Sequence, residues 1–187
     1  KGHVYFRDTS QAITFYGDYA FNSEKKHYSF LTGHALAVKI QKKDTIYIHA
    51  DTLYNKNDTI GKALYTKGYY NVKIYNTSIQ AKCDSISFNR DTNLLELYKD
   101  PIVWSQNAEL KGEKMVVYLN DSLIEKVHIF EKATALMEID SGMYYNQIAG
   151  KEITAFFKDN ELVRSDVNGN AKTIFFPENE EKTDSTV

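Results

Sequence analysis

The chain has 187 residues and a formal net charge of −2, enough for one domain with a real core and without a gross electrostatic bias toward nucleic acid or anionic membrane. Fourteen tyrosines, ten phenylalanines and only two prolines suit pleated, half-buried surfaces, and the single cysteine, Cys83, excludes an internal disulfide framework. No run approaches the roughly 18 apolar residues of a membrane-spanning helix, and the opening Lys1-Gly2 carries no leader pattern, which is compatible with a leader or anchor having been processed away.

In chain order one phrase occurs five times. It reads ITFYGDYAFN around Gly17, IYIHADTLYN around Ala50, IQAKCDSISFN around Cys83, AELKGEKMVVYLN around Gly112 and QIAGKEITAFF around Gly150, at spacings of 33, 33, 29 and 38 residues. Repeats of this length point to stacked supersecondary units. Two positions before the small residue stand Phe15, Ile48, Ala81, Leu110 and Ile148; four before it stand Ile13, Ile46, Ile79, Ala108 and Asn146. The positions between are mostly polar, and such two-residue alternation is a strand with one buried face.

The alternation then slips by one. Asp18, Asp51, Asp84, Glu113 and Lys151 follow the small residue, and the apolar column resumes only at Ala20, Leu53, Ile86, Met115 and Ile153. A period-two strand slips phase through a bulge or bend, and a Gly, Ala or Cys beside it gives the bent backbone room. Each phrase is therefore expected to be a strand that turns a corner. Asx-rich turns follow at Asn22–Lys26, Asn55–Asp58, Asn89–Asn93, Asn120–Ser122 and Lys158–Glu161. A returning strand comes next, traced by Ala35 and Ala37, by Asn71 and Lys73 beside Val72 and Ile74, by Ile102 and Trp104, by Ala133, Ala135 and Met137, and by Ala171 and Thr173. Gly33, Gly68, Asp100 and Gly169 open four of these returns.

Five kinked β-hairpin units give roughly ten strands and an all-β chain, a two-sheet roll whose corners lie where the chain crosses between sheets. One domain is expected over residues 1–176. The segment 177–187, ending ENEEKTDSTV, is polar, lacks periodicity and reads as a tail.

The phrases IHADTLYN, SIQAKCDSISF and ELKGEKMVVYLN and the closing DVNGNAKTIFF resemble the OstA/LptA superfamily, over about Ile13 to Phe176. That superfamily includes the periplasmic lipopolysaccharide-transport proteins LptA and LptC and the N-terminal domain of LptD. The resemblance implies an open, V-shaped β-jelly roll in the periplasm that holds lipid A acyl chains in an apolar groove. It also implies partners from the same transport system, or further copies in a head-to-tail oligomer, joined edge to edge. It carries no catalytic residues, no cofactor and no metal, and membrane attachment would lie in segments outside this chain. Asn146 in the apolar column and the absence of a glycine opening the fourth return depart from the repeat.

With the resemblance, the recurring columns become the expected groove: Phe15, Ile48, Ala81, Leu110 and Ile148 before the corner, and Leu53, Ile86, Met115 and Ile153 after it. Taken singly, each is first a core residue. A structural or adhesive repeat with a dry core, and a jelly roll that binds carbohydrate through exposed aromatics such as Tyr47 and Tyr69, stay open beside the lipid carrier. The acidic column reads as corner residues accepting backbone N–H bonds, not as a catalytic pair. The histidines show no metal-ligand spacing. Lys25, Lys26, Lys39, Lys42 and Lys43 read first as solvated faces, with contact to lipid phosphates as the lesser alternative, and Cys83 as a small buried hydrophobe.

Overall fold

The computed structural model describes residues 2–9, 12–41, 44–61, 63–105, 108–120, 123–139, 143–158 and 161–176. The tail 177–187, the lysines at 42 and 43 and most of the expected turns at 120–122 and 158–161 lie outside the described residues. Strand β1 (Val4–Asp8) precedes the repeats. The first unit runs out as β2 (Ile13–Gly17) and β3 (Tyr19–Ser23) and returns as β4 (Tyr28–Ile40); the second is β5 (Thr45–Asn57) and β6 (Ala63–Tyr75). The third is β7 (Ile79–Asn89) with β8 (Leu94–Tyr98) and β9 (Ile102–Ser105). The fourth is β10 (Ala108–Lys111) and β11 (Lys114–Asn120) with β12 (Leu123–Ile139). The fifth is β13 (Tyr144–Lys158) with β14 (Glu161–Asn168) and β15 (Lys172–Ile174). The ten expected strands are these ten arms, four of them interrupted at the corner, with β1 in addition.

Each arm pairs antiparallel with the next, and the whole is one sheet folded along a crease. Before the crease β2, β9, β10 and β15 pair with the adjoining halves of the long strands and β1 pairs with β2; after it β3, β8, β11 and β14 pair with the other halves or with one another. These halves are the first and second leaves. β1 and β3 bound the leaves at one end, and β14 and β15 at the other; each has a single pairing partner. Among the described residues no pairing joins the two ends, so the roll is open.

The corners lie at the expected places, but the surplus residue is in the returning arm. Two consecutive residues there have positive φ: Gly33 and His34, Tyr70 and Asn71, Lys99 and Asp100, Glu131 and Lys132, Gly169 and Asn170. Registers shift across three of these pairs, from Thr32 to Ala35, Tyr69 to Val72 and Phe130 to Ala133. Left-handed backbone is costly for Tyr, Lys and Glu, and at three of the five corners N–H groups of the neighbouring arm bond to it. The Asp18 N–H donates to the carbonyls of Thr32 (3.1 Å) and Gly33 (2.9 Å), the Glu113 N–H to Phe130 and Glu131 (3.0 and 3.1 Å), and the Lys151 N–H to Gly169 (2.7 Å).

The acidic column thus works differently from expectation: its backbone N–H groups bind the corner, while its carboxylates take side chains. Asn71 Nδ2 donates to Asp51 Oδ2 at 3.0 Å, Lys99 Nζ lies 3.3 Å from Asp84, Lys132 Nζ 2.6 Å from Glu113, and His34 Nδ1 3.0 Å from Asp18. Gly68 opens no return, because the left-handed pair of β6 falls at Tyr70–Asn71. A Cβ on Gly68 would stand 3.0 Å from Ile86 Cγ1, so its role is close packing. Two expected turns also move. Asn22 and Ser23 end β3, and β5 runs on through Asn55 to Asn57, so the turns begin at residue 24 and at Asp58.

Candidate functional site

Inside the fold, the column two residues before the corner is continuous across the first leaf. Phe6 pairs with Phe15, Phe15 with Ala37, Ala37 with Ile48, Ile48 with Ile74 and Ile74 with Ala81. The row continues from Ala81 through Val103, Leu110, Ala135 and Ile148 to Thr173. It begins with the Phe6 and Phe15 rings stacked at 4.5 Å. The large members Phe15, Ile48, Ile74, Leu110 and Ile148 are half-buried, whereas Ala37 and Ala81 are buried. Small residues between large ones leave the large side chains flanked by gaps, and the result is an apolar strip along the length of the sheet.

The column after the corner is equally continuous on the second leaf, from Ala20 through Leu31, Leu53, Gly68 and Ile86 to Leu97, Met115, Ile129, Ile153 and Val167. Here Leu53 and Ile86 are 6% exposed, Ile153 2% and Met115 0%. The crease explains the seal. A Cβ on Gly17, Gly112 or Gly150 would stand 2.6, 2.4 or 2.6 Å from Leu31, Ile129 or Val167, so the second-leaf row presses into the space those glycines leave. Cys83 at this crease is half-buried, not the fully buried hydrophobe expected; its Sγ donates to the Ser85 carbonyl at 3.4 Å, and partial burial pushes its thiol up to about 12.

The structure therefore brings all nine candidate residues into two adjoining rows, with different access. Phe15, Ile48, Leu110 and Ile148 are half-buried on the inner face of the first leaf; Leu53, Ile86, Met115 and Ile153, with the small Ala81, are buried. The candidate columns drew on the outgoing arms only; the returning arms, traced in the sequence but not assigned to the site, add Ala37, Ile74, Val103 and Ala135 on the first leaf and Leu97 and Ile129 on the second. In β9 the inward residue is Val103, whereas Ile102 and Trp104 pair with the outward Lys82 and Gln80. Trp104 Nε1 donates to Glu109 Oε2 at 2.7 Å on that outer face. The signal was Val103 lying between them, which a bulkier tryptophan obscured. Asn146 has a polar partner of its own, since its Oδ1 accepts the Phe176 N–H just beyond β15 at 2.8 Å.

The two rows beside the crease are uncharged, and the ionic chemistry lies on the outer faces and at the rim of the first leaf. On the outer face of the second leaf Glu96 is held below the usual carboxylate range by Lys114 Nζ (2.6 Å) and the Tyr98 hydroxyl (2.7 Å). On the outer face of the first leaf Glu109 is lowered likewise by Lys111 and Trp104. Lys39, exposed at the rim of the first leaf, pairs in register with Ile13 and Ile46. Among the described residues no three His, Cys, Asp or Glu side chains are grouped to hold a metal.

An open, creased all-β roll with an uncharged inner strip is a carrier's architecture more than a catalyst's. Residues 16–122 match the family described as LptA/(LptD N-terminal domain) LPS transport protein. The match spans more than half of the chain, and the chain belongs to that family, whose role is transport and not enzymatic. No curated protein matches the chain. Among solved structures it is similar to LptH from Pseudomonas aeruginosa, the LptA homologous periplasmic component of the lipopolysaccharide transport device. The TM-score is 0.52 at 12% identity, covering 91% of this chain and 99% of that one, a likeness of fold.

Proposed function

We propose that this chain carries lipopolysaccharide as a section of a periplasmic bridge to the outer membrane, holding acyl chains against the first-leaf row. One observation carries the reading: an apolar row whose large members are half-buried runs unbroken from Phe6 to Ile148 in a roll whose two ends remain open. An acyl chain crossing an aqueous compartment needs such a strip, because each CH₂ removed from water is worth about 0.8 kcal/mol. The free edges β1 and β3 at one end, and β14 and β15 at the other, offer unpaired backbone groups to a further transport protein or a second copy. Family membership supplies the cargo.

The test is photocrosslinking to lipopolysaccharide from Phe15, Ile48, Leu110 and Ile148, with outward Gln80 and Lys111 as controls. Crosslinks from the first set alone support the trough; crosslinks from Gln80 and Lys111 alone defeat it. For the edges, light scattering of concentrated protein should show head-to-tail oligomers. A strict monomer that also captures no transport partner counts against edge joining.

A second reading has a specific observation behind it. The outer face of the second leaf carries ring contacts from Phe21 to Phe30 (5.5 Å) and Tyr28 (5.7 Å), then from Tyr28 to Tyr54 (5.7 Å) and Tyr54 to Tyr65 (6.2 Å). Such a band is what sugar stacking requires. Glycan binding lost in Phe21→Ala, with the lipid crosslinks intact, would establish it as a separate surface.

A further inference from the structure

One turn of the pleat beyond the sealed row, the second leaf has another inward row, and its chemistry changes halfway along. Asn22 pairs with Ser29, Ser29 with Asn55 and Asn55 with Thr66. From Thr66 the same row passes to Phe88, Leu95 and Val117. The first half is polar and the second apolar, on one continuous inner face. At a strand spacing of about 4.8 Å the four polar positions span roughly 14 Å.

The polar half is half-buried except for Asn22, where apolar residues would be the ordinary choice. Its members are linked: Thr66 Oγ1 donates to Asn55 Oδ1 at 3.0 Å, and Asn55 Nδ2 donates to Asn57 Oδ1 at 2.6 Å. Each carboxamide has two donors and two acceptor lone pairs, so these two bonds use only part of the capacity of Asn55 and Asn57. The set is neutral. The lysines of the same strands, Lys56 and Lys67, belong to the opposite face, where Lys67 lies 5.1 Å from the Tyr65 ring centroid. A phosphate would find no cation in this row.

We infer that the N-terminal half of the trough is a subsite for a neutral hydrogen-bonding group set in or at the base of an acyl chain, a hydroxyl, ester or amide. The apolar half, from Phe88 onward, takes the plain hydrocarbon. This rests on the trough reading and adds a direction to it: the ligand lies with its polar joint at units one and two and its tails toward units three to five. Thr66 and Asn55 are then the residues that discriminate between chains.

Dodecanoic acid and β-hydroxydodecanoic acid form a matched pair of probes, compared by displacement of a fluorescent fatty acid from the intact chain. The wild type should bind the hydroxylated chain about five- to tenfold more tightly, the worth of one net hydrogen bond. Thr66→Val keeps the side-chain shape and should reduce the preference; Asn55→Leu with Thr66→Val should abolish it while dodecanoic acid binds as well or better. Circular dichroism of the single variant checks the fold, and the wild-type ratio stands without any variant. Equal binding of both probes by the wild type, or a preference that survives the double change, overturns the subsite and leaves the trough. Binding of neither probe overturns both.

Discussion

On the second leaf Leu53, Ile86, Met115 and Ile153 are at most 6% exposed, whereas on the first leaf Phe15, Ile48, Leu110 and Ile148 stay half-buried. Both sets are large apolar residues in register on strands that cross one crease. What separates them is the company they keep. The second-leaf row is large at nearly every strand and packs into the space vacated by Gly17, Gly112 and Gly150; the first-leaf row alternates large residues with Ala37, Ala81 and Ala135. A dry core and an accessible strip therefore arise from one repeat, according to where small residues fall.

The sharpest test of that difference is a charge placed on each row. Met115→Asp buries a carboxylate with no partner, and should destabilise the fold by on the order of 4 kcal/mol, read as loss of cooperative unfolding. Ile148→Asp lies where water reaches and should cost about 1 kcal/mol while removing lipopolysaccharide binding. Equal losses of stability at the two positions would erase the distinction between the leaves.

Cys83 probes the same seal chemically. Its thiol, pushed up to about 12 by burial, forms little thiolate at neutral pH. Alkylation of the folded chain should be slower than that of the urea-unfolded chain by more than about a hundredfold. Comparable rates would mean that the crease admits solvent.

The repeat, the corners and the all-β class were legible in the sequence because alternation and its slip are local signals that five copies reinforce. The separate fates of the two columns were not, since exposure depends on residues of the returning arms, such as Ala37 and Ala135, that pair with the column from other units. Asn55 shows another limit. Beside Lys56, Asn57 and Asp58 it reads as turn chemistry, yet β5 runs through it and its inward register pairs it with Ser29 and Thr66. Ile102 and Trp104 misled in the opposite sense: two large apolar residues at strand spacing, on the outer face.

Gly112→Ala makes the crease itself the variable. The added Cβ would meet Ile129 Cγ2 at 2.4 Å and the Phe130 carbonyl at 3.1 Å, and one of these is backbone. Overpacking of this kind costs about 2 kcal/mol, measurable as a lowered urea midpoint. The loss should be accompanied by greater exposure of the second-leaf row, seen as faster amide exchange across β11 and β12. A neutral substitution would show that the second leaf does not depend on the missing Cβ.

The smallest effect belongs to the outer faces, and there the two leaves should behave alike. Glu96 on the second leaf and Glu109 on the first are both held below the usual carboxylate range, chiefly by hydrogen bonds from Lys114 and Lys111. A carboxylate whose folded pKa lies below its unfolded one contributes stability that is fully present above the unfolded value. That stability is lost as pH falls through the folded value. Thermal unfolding followed downward from pH 6 should therefore decline below about pH 4.5. Lys114→Met and Lys111→Met should each make that decline shallower by a similar, small amount, because both pairs are solvent-facing. A marked effect at one lysine only would place part of the difference between the leaves outside the groove, on the charged face, and not solely in the packing of the inner rows.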